Sequence, residues 1–196
     1  MIMKYLAYPL MLIFCSASLS FADTELWSMF TFQHPVKDGL KIAIIPELRF
    51  RNNASEWYYL RTYIGPQISL DKSWEAAVYL APNLGKSGGS WTTSYLYYLD
   101  LIYKNGFFSN RARLEENLLS GVLVYRNSLQ FKTGNWTLAD ELFYNFAKGF
   151  LDENRASISY SIGAFSLGYL LRMQKATAAA DWVYTNVANL GLKVNF

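Results

Sequence analysis

The chain has one cysteine, Cys15, and one histidine, His34, in 196 residues. A lone cysteine excludes an internal disulfide, and with one histidine no metal-ligand cluster is present. No phosphate loop or nucleotide fingerprint occurs, and no His-x-Ser pair of an outer-membrane lipase. Charge of neither sign prevails, with 18 basic against 15 acidic residues. That balance argues against nucleic acid or an acidic polymer as partner. Repeats, low-complexity tracts and interdomain linkers are also missing. After residue 22 no run of about 18 apolar residues occurs, so no transmembrane helix is expected.

What is present begins with residues 1–22, MIMKYLAYPLMLIFCSASLSFA. Lys4 forms a short positive region, and Leu6 to Phe14 is apolar but too short to span a bilayer. Ser20 and Ala22 are small residues at the −3 and −1 positions of a cleavage site. The expectation is a signal peptide over 1–22 and one domain over 23–196. Phe14 is too bulky for a lipoprotein cleavage motif at Cys15. Cleavage would remove Cys15 and Lys4, leaving no thiol and 17 basic residues against 15 acidic ones.

Aromatic residues make up 17% of the chain, as 15 Tyr, 13 Phe and 6 Trp. That excess suits β-structure and a membrane interface. Strict alternation supplies the rest of the pattern. In NRASISYSIG (154–163), Ala156, Ile158, Tyr160 and Ile162 share one face, against Arg155 and three serines. FSLGYLLRMQ (165–174) sets Phe165, Leu167, Tyr169, Leu171 and Met173 against Ser166, Gly168, Arg172 and Gln174. LKIAIIPELRFR (40–51) opposes an aliphatic face to Lys41, Glu47, Arg49 and Arg51. The polar face is too charged for a dry core. A transmembrane barrel inverts the usual arrangement, with apolar residues outward and polar residues inward.

Short turn signals at 36–39, 70–73, 103–106, 132–135 and 162–165 alternate with longer polar connections at 52–56, 85–90, 117–121, 147–154 and 175–181. Eleven segments read as strands. Because bacterial barrels are even-numbered, the expected fold is an all-β, antiparallel up-and-down transmembrane β-barrel of about ten strands, with twelve as the alternative. Either one of the eleven readings is wrong or one strand lies outside the closed wall, and TELWSMFTFQ (24–33) has the weakest strand pattern.

The last segment, ANLGLKVNF, alternates to its final residue. Asn189, Gly191, Val194 and Phe196 resemble the C-terminal β-signal of outer-membrane proteins, which implies recognition by the barrel-assembly machinery. Further motifs occur in order: NRARLEEN (110–117), VYRNSLQF (124–131), DELFYNF (140–146) and ENRASISYSIG (153–163). Together they resemble the bacterial outer-membrane barrel family filed as domain of unknown function 2490. The resemblance covers roughly residues 25–196. It implies a fold and a location in the outer membrane of a Gram-negative bacterium, reached through the periplasm, and it implies no activity.

Alternation places Glu47, Arg49, Arg61, Asp100, Arg111, Arg113, Glu115, Arg126, Glu141, Asn145, Arg155 and Arg172 on the inner face. In a narrow lumen, Glu115 and Glu141 should accept guanidinium forks from neighbouring strands. Two readings stand. In the first, this polar core plugs the barrel, whose role is structural or an interaction. In the second, the arginines line a narrow, porin-like channel for anions or small solutes. An enzyme is disfavoured: His34 sits beside a turn signal, and the adjacent Asp152 and Glu153 read as a solvated loop pair. No cofactor, metal or nucleic acid is expected; the partners are outer-membrane lipid and the assembly machinery. Trp57, Trp74, Trp91, Trp136 and Trp182 fall near strand ends, as interfacial girdles require. Trp57, Tyr59 and Tyr63 are expected to face inward, which leaves a sugar-binding platform open.

Overall fold

The computed structural model describes residues 24–196; the expected signal peptide lies outside the described residues. Among these, all regular structure is strand: β1 Glu25–Lys37, β2 Leu40–Arg51, β3 Glu56–Ser69, β4 Trp74–Ser87, β5 Ser90–Asn105, β6 Phe108–Asn117, β7 Leu123–Thr133, β8 Trp136–Asn145, β9 Phe150–Ile162, β10 Phe165–Gln174 and β11 Val183–Asn195. Consecutive strands pair antiparallel, and β1 pairs with β11 to close a barrel.

The wall therefore holds eleven strands, not the ten or twelve that an even count demands. An odd number sends the first and last strands in the same direction, so the closing pair must be parallel. It runs from Glu25↔Val187 to Gln33↔Asn195. TELWSMFTFQ, the segment with the weakest strand pattern, is β1 itself and is paired on both sides.

The connections at one end are 38–39, 70–73, 106–107, 134–135 and 163–164; those at the other are 52–55, 88–89, 118–122, 146–149 and 175–182. They are called here the turn end and the loop end. The loops expected at 85–90 and 147–154 are shorter than the sequence implied. β4 continues through Pro82 and Gly85 to Ser87, and Gly88 and Gly89, at φ 56° and 85°, form a two-residue hairpin. β9 starts at Phe150 rather than 154.

Two β-bulges at the loop end shift the alternation. Arg49 pairs with Tyr59 but Phe50 with Trp57, which leaves Tyr58 as the extra residue. Trp57 consequently faces outward instead of inward, its ring 4.8 Å from that of Trp91. Tyr58 reaches in and donates to Glu25 Oε2 at 2.8 Å. On β9 the extra residue is Asp152, since Phe143 pairs with Glu153 and Tyr144 with Leu151. Asp152 and Glu153 are thus strand residues, and Glu153 is buried.

The outer wall is apolar: Ile42, Ile44, Ile64, Leu80, Leu99, Leu101, Leu138 and Leu190 are all exposed. Trp57 and Trp91 mark its loop end. Trp74 against Tyr103 (5.0 Å between ring centroids) and Trp136 against Tyr160 (4.9 Å) mark its turn end. The pairs Trp74↔Tyr103 and Lys86↔Trp91 place the two girdles twelve residues apart along β4. At about 3.3 Å per residue and a tilt near 45°, that is about 28 Å along the barrel axis. One polar patch interrupts this surface. Asp140 accepts from Asn154 Nδ2 at 3.0 Å, and Asn110 Nδ2 donates to Asn127 at 3.2 Å.

Inside, Ala43, Tyr63, Ala77, Tyr79, Ala81, Leu96 and Tyr98 pack together along β2–β5. The small residues make room for three tyrosine rings. Gly65 permits the close approach of β3 to β4, because a Cβ there would meet the Val78 carbonyl at 1.9 Å.

Candidate functional site

Strand alternation delivers every charged residue of the expected lumen set to the inner face, and the closed wall brings them into one network. Glu47 on β2 accepts from Arg49 Nε at 2.6 Å and from Arg61 Nη2 at 2.8 Å. Arg61 on β3 also reaches past β4 to the Tyr98 hydroxyl, at 2.6 Å. Asp100 takes both arms of Arg113, at 2.5 and 2.6 Å. Such bidentate pairing is the strongest arrangement that a guanidinium and a carboxylate can make.

The second half of the network centres on Glu141. It accepts Arg111 Nη2 at 2.8 Å and Arg126 Nη2 at 3.0 Å, with Arg155 Nη1 at 3.9 Å. Arg126 turns its other arm to Glu115 at 2.9 Å. Glu153 pairs with Arg155 and, at 3.2 Å, with Arg172. Asn145, also buried, donates to Asp152 at 3.1 Å. Lys148, in the loop before β9, pairs with the same carboxylate.

Aromatic faces fill the space between these pairs. Arg49 lies 3.7 Å from the Trp27 ring centroid, and Arg155 lies 4.9 Å from the same ring. Arg126 and Arg155 each stand 4.4 Å from the Phe143 ring. Arg113 stacks at 4.7 Å on Tyr98 and reaches Tyr63, on β3, at 5.3 Å. The last contact passes over two intervening strands, β4 and β5. Stacking suits guanidinium because its planar, weakly hydrated face loses little on leaving water.

Seven arginines (49, 61, 111, 113, 126, 155 and 172) thus meet five carboxylates (47, 100, 115, 141 and 153) in the middle of the barrel. The network carries excess positive charge, and Nε of Arg111 and of Arg172 has no partner. Glu153 and Trp27 were not legible as members. Glu153 shares the parity of Arg155 but fell within the connection expected at 147–154. The alternation of TELWSMFTFQ was the available signal for Trp27, once that segment is placed in the wall.

The C-terminal set divides between the faces. Asn189 pairs with Gly168 and Trp27, and Gly191 with Ser166 and Met29, all toward the lumen; Val194 lies outward beside Phe32. Phe196 donates its N–H to the Gln33 carbonyl at 3.1 Å. Its own carbonyl lies 2.8 Å from His34 Nδ1, and the two rings are 5.5 Å apart. His34 therefore sits within a strand, held against the chain's last residue. Above the Trp57–Trp91 girdle, hydrogen bonds from Arg51 and Lys86 hold the Glu56 carboxyl down at about 2.

The model of the family described as protein of unknown function (DUF2490) matches residues 24–183, which run from just before β1 to the first residue of β11. The chain belongs to that family. No curated protein matches it.

Proposed function

We propose that this DUF2490 family member is an integral outer-membrane β-barrel whose lumen is plugged by its arginine–carboxylate network, with a structural or interaction role rather than a catalytic one. The observation that carries this reading is the inversion of polarity. Ion pairs fill the interior, while an apolar band about 28 Å tall, bounded by aromatic girdles, covers the exterior. Such an exterior suits lipid and is unsuited to water. The residues 1–22 would direct export and be removed. The Asn189–Phe196 segment would address the chain to the barrel-assembly machinery of a Gram-negative outer membrane.

Side chains that reach over intervening strands support the plug. Arg61 joins β3 to β5 past β4, and Arg113 on β6 stacks on Tyr63 of β3. Buried ion pairs of this kind hold only when each charge keeps its partner. The excess of arginine favours a second reading, a narrow anion channel gated by the same network. Planar-bilayer recording of the protein distinguishes the two. The plug predicts no sustained conductance; steady anion-selective current from the wild-type barrel refutes it.

A further inference from the structure

At the turn end the lumen face carries a chemistry that differs from that of the arginine–carboxylate network in the middle. Four lysines stand there on the lumen face, each beside a turn: Lys41, Lys104, Lys132 and Lys193. Glu75 neutralises one side, at 2.6 Å from Lys104 and 4.0 Å from Lys41. Among the described residues no carboxylate stands within ion-pair distance of Lys132 or Lys193, Glu75 acting on Lys193 only from farther off, and both lysines are exposed. The wall between these two is made of hydroxyls. Thr137 pairs directly with Ser159, and Ser161 with Ser166. All four residues are half-buried, and among the described residues none of their side chains bonds to a protein group.

Two glycines keep this arc uncrowded. A Cβ at Gly191 would meet Ser166 Oγ at 2.2 Å, and one at Gly168 would meet Ser159 Cβ at 2.8 Å. Opposite, the bulky tyrosine rings belong to the β2–β5 wall, whereas the serine side carries small side chains. Met29, which faces the lumen here, is 48% exposed. An unpaired cation therefore stands at each end of a row of free hydroxyl donors on the inner face of a closed barrel. The set matches a tetrahedral oxyanion, which needs several donors around it and one or two positive charges.

We infer that the turn-end lumen face is a binding site for a phosphate-class oxyanion, held by Lys132 and Lys193 with the hydroxyls of Thr137, Ser159, Ser161 and Ser166. The ligand is a free phosphate or the phosphate of a lipid headgroup. The site requires the barrel and its lumen face, and it stands whether the middle is plugged or conducting. The amide NMR spectrum of the labelled protein in uncharged detergent micelles tests it, with inorganic phosphate as one probe and micelles doped with a phosphatidic acid as the other. Saturable shifts are expected at residues 132, 137, 159–166 and 193, with the loop end unmoved. Lys132→Gln combined with Lys193→Gln should weaken binding at least tenfold. Lys104→Gln, whose lysine is already neutralised by Glu75, should change it less than twofold. Shifts with inorganic phosphate identify a soluble anion, and shifts with the doped micelles alone identify a headgroup. A folded barrel that responds to neither probe, or a double variant that binds as wild type does, overturns the site and leaves the barrel reading intact.

Discussion

Glu141→Ala is the substitution that most directly separates a plug from a pore. The carboxylate serves three arginines, and the variant leaves them unequally provided. Arg126 keeps Glu115 at 2.9 Å, and Arg155 keeps Glu153. Arg111 loses its single carboxylate and already has an unpartnered Nε. Breaking a buried ion pair by removing one partner costs about 3–5 kcal/mol. Arg111 retains 28% side-chain exposure, so water recovers part of its solvation. The expected loss is accordingly about 3 kcal/mol, at the low end of that range. The same bookkeeping orders two double variants. Glu141→Ala with Arg111→Leu removes the stranded charge and should recover most of the loss. Glu141→Ala with Arg126→Ala strands Glu115 in addition and should recover little. Urea unfolding in lipid vesicles, followed by tryptophan fluorescence and paired with reversal potentials, checks both. A Glu141→Ala barrel as stable as wild type, with increased anion conductance, would mean that water solvates the arginines, and the plug would be refuted.

Other consequences can be measured separately. Gly65→Ala forces a Cβ onto the Val78 carbonyl and should cost about 3 kcal/mol or prevent closure between β3 and β4; a thermal midpoint unchanged from wild type would contradict that approach. Ile158→Arg places a charge on the outer wall and should destabilise the barrel in vesicles by about 2–4 kcal/mol, whereas Ser159→Arg, facing the lumen, should cost much less; equal losses would invalidate the assigned faces. Asp140→Leu on the same outer wall should stabilise by about 1 kcal/mol, and a loss instead would show that the carboxylate is not facing lipid. Glu56 is held below its ordinary range by Arg51 and Lys86, so its ion pairs are intact above that range and lost as pH falls through about 2; a carboxyl NMR titration near 4.5 would show them absent. Deleting Phe196 removes its contacts with Gln33 and His34 and should slow assembly, as heat-modifiable gel mobility reports; folding at the wild-type rate would dismiss the terminal signal.

Much of this architecture is written in period-2 alternation, because a strand residue's face depends only on parity until something shifts it. Arg111, Arg113 and Glu115, or Arg155 and Arg172, could be placed inside without knowing their partners. What parity does not reveal is where it changes. The bulges at Tyr58 and Asp152 each add one residue; the first turned Trp57 outward where parity set it inward, whereas Glu153 keeps the parity of Arg155 and was missed because 147–154 read as a loop. No local residue type marks either bulge. A connection was expected from 85 to 90, yet β4 runs through Gly85 to Ser87. The strand number was misjudged for a different reason: evenness is a regularity of other barrels, and no residue of this chain encodes it. Partner choice within the network depends on which strands meet across the lumen, which parity alone does not specify.

The odd strand number also sets where the barrel needs most support. Parallel pairing is slightly weaker per residue than antiparallel pairing, so the β1–β11 seam is the wall's intrinsically softest joint. The residues around it compensate from two sides. From within, the buried Trp27 ring on β1 is overlaid by Arg49 of β2 and by Arg155 of β9, with Arg172 of β10 at 5.7 Å, while its Nε1 donates to Glu25 at 2.6 Å. The lumen charges thereby tie β1 to strands beyond the seam, bypassing β11. At the turn end, Phe196 continues the ladder by one bond to Gln33 and meets His34 of β1. A neutral, greasy lumen would fill the same volume, but it would not reach from β9 and β10 to β1 with directional contacts. The same arginines that pair with the lumen carboxylates therefore also hold closed the joint that an eleven-stranded barrel cannot make antiparallel.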